Sequence, residues 1–162
     1  FAQTAPYGRE VPLPLPPATS PAVRHFSPDL ACGDDQCLVA WTSINEGERF
    51  SYEIRGARVS KSGDLIDKTS FLIATGSMNT TPPQVVALAT DYVVLYSGIV
   101  YARIGRDGVV KSRDLKTSIS TDIGSVTEAA AVGGSILVYS VQKLCTLGPY
   151  VTRLAEVIKA VR

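Results

Sequence analysis

The sequence predicts an all-β protein of repeated four-stranded antiparallel units, propeller-like and with about three blades. Three observations predict it. Short β-rich runs end three times in an aromatic residue followed by a hydroxyl: Leu38-Val39-Ala40-Trp41-Thr42, Val93-Val94-Leu95-Tyr96-Ser97 and Ile136-Leu137-Val138-Tyr139-Ser140. The aromatics stand 55 and 43 residues apart, the period of one small antiparallel unit repeated along a chain. Glycine turns recur as well, since Ala57 to Ala102 and Gly63 to Gly108 are both 45 residues.

In the first unit the opening hairpin runs from Asp29 to Cys32, turns at Gly33-Asp34-Asp35-Gln36, and returns from Cys37 to Trp41. Its counterparts turn at Leu88-Ala89-Thr90-Asp91 and at Ala131-Val132-Gly133-Gly134. A second strand pair follows around Lys61-Ser62-Gly63-Asp64 and Arg106-Asp107-Gly108, where glycine supplies the positive φ of a tight turn. Four short strands per roughly 45 residues is the size of a propeller blade. The third copy is degraded: Thr152-Arg153-Leu154 stands for Ala-Arg-Val, and no glycine turn follows. A β-trefoil is the alternative, because three such units close within this length. Its units keep similar loops, whereas here the variable loop spans residues 43–52 in the first unit, almost vanishes in the second and spans 142–149 in the third. Insertions at one topological position gather on one face, where binding is expected.

The units are placed at about 29–82, 83–126 and 127–162, preceded by a proline-rich N-terminal arm over residues 1–28 that holds seven of the ten prolines. Val11-Pro12-Leu13-Pro14-Leu15-Pro16-Pro17 is read as extended polyproline II on a surface, covering its own domain or reaching a neighbouring subunit. At the other end Leu154, Val157, Ile158 and Val161 fit an amphipathic helix, but analogy with the earlier units favours strand.

The pattern Ala-Cys-Gly-x-x-x-Cys-Leu-Val-x-Trp over residues 31–41, followed by the Ile54 to Asp67 stretch, resembles the blade repeat of large secreted bacterial propeller-like proteins. The resemblance implies an extracellular or cell-surface, non-catalytic scaffold or interaction module that assembles with protein partners or with itself. No catalytic residues come with it.

Cysteine usage points to the same compartment. Cys32 and Cys37 face each other across a four-residue loop with Cα atoms expected about 5.5 Å apart, within disulfide range. Cys145 is left over as a buried small hydrophobe or an intermolecular partner, with burial preferred. A zinc site needs two more ligands than Cys32 and Cys37 supply, and His25 is the only histidine, so no metal and no cofactor are expected. Calcium at Asp34-Asp35 lacks enough oxygen ligands. Asn79-Thr80-Thr81 has the form of a glycosylation sequon, followed by Pro82.

A net charge of +1 with 19% charged residues provides no basic field for nucleic acid. The apolar stretch 85–102 aligns with a charged, turn-containing unit upstream, so it is two buried strands rather than a membrane span. The chain begins with Phe1, which suits removal of a signal peptide or a segment of something larger. With His25 in the irregular arm, a serine or cysteine nucleophile has no assembled base, orienting acid and oxyanion hole, and the protein is read as no enzyme. Trp41, Tyr96 and Tyr139 are expected to pack between units rather than to stack on sugars. Tyr52, Tyr101 and Tyr150, beside the variable loops and third strands, are the candidate glycan contacts. A carbohydrate-binding lectin, or a fragment of a propeller glycosidase, are the alternative functions.

Overall fold

The computed structural model describes residues 23–45, 51–76, 82–96, 100–116, 124–132, 134–142 and 151–159. All regular structure among them is β. The strands are β1 (Val23–Cys32), β2 (Gln36–Asn45), β3 (Ser51–Ser60), β4 (Phe71–Gly76), β5 (Gln84–Ala87), β6 (Asp91–Tyr96), β7 (Val100–Gly105), β8 (Val110–Lys116), β9 (Gly124–Val132), β10 (Ser135–Gln142) and β11 (Val151–Lys159). They form three separate antiparallel sheets in sequential order, β1-β2-β3-β4, β5-β6-β7-β8 and β9-β10-β11. No described strand is shared between two sheets, so nothing here closes the barrel that a trefoil requires. The C-terminal segment is strand, as the repeat analogy expects, because β11 pairs with β10 from Gln142↔Val151 to Ser135↔Lys159.

The repeat offsets survive in three dimensions. Leu88 N–H donates to Asp91 C=O at 2.8 Å just as Gly33 N–H donates to Gln36 C=O at 2.8 Å, 55 residues earlier. In the second turn of the first unit, Ser60 N–H bonds Asp64 C=O and Gly63 N–H bonds Ser60 C=O. Gly105, Val109 and Gly108 repeat both bonds 45 residues later. Gly63 and Gly108 have φ of 88° and 84°, the left-handed residue that lets a three-residue hairpin match the strand twist. Gly108 carries a second constraint, since a Cβ there would lie 2.9 Å from Arg58 Nε. Gly108→Ala is therefore expected to destabilise by about 1–2 kcal/mol from backbone strain, measurable as a lowered urea midpoint; an unchanged midpoint would show that the turn relaxes freely.

Both faces of the central strands are covered, which explains their continuous apolar runs. In β2, Leu38 and Ala40 enter a cluster with Ile54, Ile73, Tyr92, Val94 and Tyr96 between the first and second sheets. Val39 and Trp41 face the other way with Ala57 and Val59. In β6, Tyr92, Val94 and Tyr96 face the first sheet, while Val93 and Leu95 meet Ile136 and Val138 of the third. The 55-residue offset maps Trp41 onto Tyr96 and Ala40 onto Leu95, so the first two sheets present equivalent faces in the same sense.

The third sheet departs from that rule. Counting from Tyr139 makes Ile136 and Val138 equivalent to Val93 and Leu95, which would point them away from the second sheet. They pack against it. The register of β10 shifts against β11 between Val138 and Tyr139 and against β9 between Tyr139 and Ser140. The extra residue at each shift lies in β11 or in β9, so β10 itself runs unbroken, and its aromatic stands one residue out of phase with those of the first two sheets, which swaps the two faces.

The N-terminal boundary also needs correction, because β1 begins at Val23, within the segment assigned to the arm. Pro28 led the sequence reading astray. It sits at a register shift between Phe26 and Asp29, one of the few places where a strand tolerates proline, beside Ser27 at φ 53°. The stretch Val11 to Pro17, Cys145, Tyr150 and the Asn79 to Thr81 sequon lie outside the described residues.

Candidate interaction site

Cys32 and Cys37 are joined by a disulfide with Cα atoms 3.9 Å apart, closer than expected. The Gly33 N–H to Gln36 C=O bond makes 33–36 the hydrogen-bonded pair of the ladder. The cysteines then form the neighbouring non-hydrogen-bonded pair, whose Cα atoms approach more closely.

The residues this bond brackets reach across to the second sheet. Gln36 Nε2 donates to Arg106 C=O, and Tyr92 Oη donates to Gln36 C=O at 2.7 Å in a buried position. Arg106 lays its guanidinium 4.2 Å from the Tyr92 ring centroid and donates to Leu88 C=O. It fills the space that a side chain at Gly33 would take. Burial raises the Tyr92 phenol above its ordinary pKa, against the opposing Arg106 charge.

Arg58 completes this junction by donating through Nη1 to Arg106 C=O at 2.8 Å. Its guanidinium is held by Asp67, with Nη2 2.6 Å from Oδ1, and the same carboxylate accepts the Arg58 N–H at 2.7 Å. The hydrogen bonds to Asp67 raise the Arg58 pKa. Asp67 is thus a structural ion-pair partner. Asp91 is the buried acid of the second sheet, taking Arg103 and Lys111 at 2.5 Å each. Burial pushes its carboxyl upward, but hydrogen bonds from Lys111 and Arg103 outweigh this and hold it below the ordinary value.

A separate cleft of about 430 Å³ opens where the first strands converge, β5 lying against both β1 and β9. Ser27, Pro28, Asp29, Pro82, Pro83 and Ala129 line it. The Asp29 carboxylate accepts the Val85 N–H at 2.6 Å, satisfying an amide of a short edge strand. No histidine, cysteine, lysine or arginine is among its lining residues, so its charge is one carboxylate, beside the polar residues Ser27 and Gln84. Its size falls within the range of small-ligand pockets.

His25 is the site residue that sequence reasoning misplaced. It lies on β1 opposite Ser43, with Nδ1 2.6 Å from Ser43 Oγ. Ser43 is 3% exposed, which denies a substrate access to that oxygen. Burial, then the Arg55 charge, lowers the His25 pKa, keeping the imidazole neutral at pH 7. The pair is a cross-strand hydrogen bond within the first sheet.

Of the core aromatics, Trp41 and Tyr96 are each 2% exposed, and Tyr96 lies in the cluster between the first and second sheets. Its hydroxyl donates to Asp114 Oδ1 at 3.1 Å and accepts the Asp114 N–H at 2.9 Å. Burial pushes this phenol up to about 12. Tyr139 lies in β10, and its side chain is outside what is described. Among the candidate glycan contacts, Tyr101 packs on the cluster between the second and third sheets. Tyr52 lies in the first sheet, opposite Ile44 and Gly76, so the two tyrosines stand on different sheets. Among the described residues no cluster of three His, Cys, Asp or Glu side chains could hold a metal ion, and no helix is long and apolar enough to cross a membrane. No family model, curated protein or solved structure matches the chain, so any functional reading rests on the geometry above.

Proposed function

We propose that the chain is a secreted or cell-surface, non-catalytic structural and interaction module whose sheets act as propeller-like blades and assemble with further subunits. One observation carries this reading: the first two sheets stack in the same sense, the Leu38 and Ala40 face of one against the Tyr92, Val94 and Tyr96 face of the next, with their first strands brought together. Such packing is heterologous, so each unit offers one face forward and one behind. Propellers close with about four to eight blades, and an incomplete set leaves unpaired edges and apolar faces that favour association. The disulfide suits an oxidising compartment. The occupied His25–Ser43 pair and a cleft whose Ser27 has no histidine or lysine base among the lining residues favour binding over bond breaking.

Size exclusion with light scattering tests the proposal. The expected result is a defined oligomer or concentration-dependent assembly. A compact, thermally stable monomer of 17.3 kDa would refute the assembly reading.

A further inference from the structure

We infer that the Cys32–Cys37 disulfide is a redox-addressed latch on the junction between the first and second sheets. A dithiol reductant opens it and loosens the Arg106 turn from the hairpin tip. This does not rest on the assembly reading.

The bond encloses only residues 33–36, and that short loop makes the inter-sheet polar contacts at the tip of the hairpin, Asp29 bonding Val85 farther along β1. Gln36 supplies a donor to Arg106 C=O and an acceptor to Tyr92 Oη, and Gly33 leaves the room that Arg106 occupies. A crosslink around so few residues restricts the unfolded chain little compared with long loops. Its main effect is therefore local, fixing the tip in the shape that these contacts need.

The two cysteines differ in access. Cys32 is exposed and Cys37 is 7% exposed. A reagent thiolate attacks the Cys32 sulfur and breaks the S–S bond, forming a mixed disulfide and releasing Cys37 as a thiolate that takes a proton. The reagent's second thiol then closes its own disulfide and releases Cys32 as a thiol. Two electrons pass from the dithiol to the protein. Arg58 still donates to Arg106 C=O, and the apolar cluster of Leu38, Ala40, Tyr92 and Val94 still joins the sheets. The latch can open without unfolding either sheet.

Hydrogen exchange read by mass spectrometry tests this on the full chain, oxidised, reduced with dithiothreitol, and as the Cys32→Ser/Cys37→Ser double variant. Reduction should speed exchange in residues 103–110 about tenfold or more, with change within about twofold in β10, and reoxidation should restore it. Gln36→Ala in the oxidised protein should reproduce the loosening at 103–110. Unchanged exchange there on reduction, or in Gln36→Ala, would overturn the latch. So would uniform acceleration across all peptides, or failure of the double variant to fold, since either makes the bond a staple of the whole fold.

Discussion

Trp41→Ala is expected to destabilise the protein by about 3–5 kcal/mol, the cost of deleting a large buried side chain and leaving a cavity. Trp41 is 2% exposed, on the face of the first sheet that carries Val39, Ala57 and Val59. Its indole Nε1 has no hydrogen-bond partner among the described residues, so the ring contributes through volume. Trp41→Phe should therefore cost much less, about 1–2 kcal/mol, because no hydrogen bond is lost. Urea denaturation of the three proteins checks both values. An alanine variant of unchanged midpoint that loses ligand binding would make Trp41 a surface contact.

Asp91 should give the second large effect, and the one that responds to pH. Asp91→Asn removes the charge that balances Arg103 and Lys111, whose side chains are 24% and 49% exposed. Stranding a fully buried partner costs about 3–5 kcal/mol. These two cations retain access to water, so about 2–3 kcal/mol is expected. Lys111→Ala should cost less than about 1 kcal/mol, as partly exposed ion pairs do. The native carboxyl is held below its ordinary value of 3.8. As pH falls through that window the unfolded chain takes up the proton first, so the stability present above 3.8 declines and is lost at the lower native pKa. Denaturation midpoints measured from pH 6 to pH 2 should fall more steeply for the parent than for Asp91→Asn. Parallel curves would show that Asp91 does not couple folding to acid.

The sequence determined what neighbouring residues settle between themselves. Gly63 and Gly108 announced their turns because a left-handed residue is needed there, and their 45-residue spacing predicted two hairpins of identical bonding. Cys32 and Cys37 announced their pairing because an antiparallel hairpin sets facing residues side by side. The continuous apolar runs of β2 and β6 marked strands buried on both faces, and the C-terminal strand followed from the repeat.

Tertiary structure alone decided the rest. The bulge beside Pro28 kept β1 in the sheet and brought His25 to Ser43, and packing against the second sheet chose which face of β10 turns inward; both depend on partner strands that local sequence does not contain. Gln36, Arg58, Tyr92 and Arg106 gave no signal as a group. They lie up to 70 residues apart, and each alone reads as an ordinary surface or core side chain. They meet only because the apolar faces of two sheets pack at one offset. Burial there makes satisfied polar partners necessary, and that requirement, absent from either hairpin by itself, selects the residues that form the candidate site.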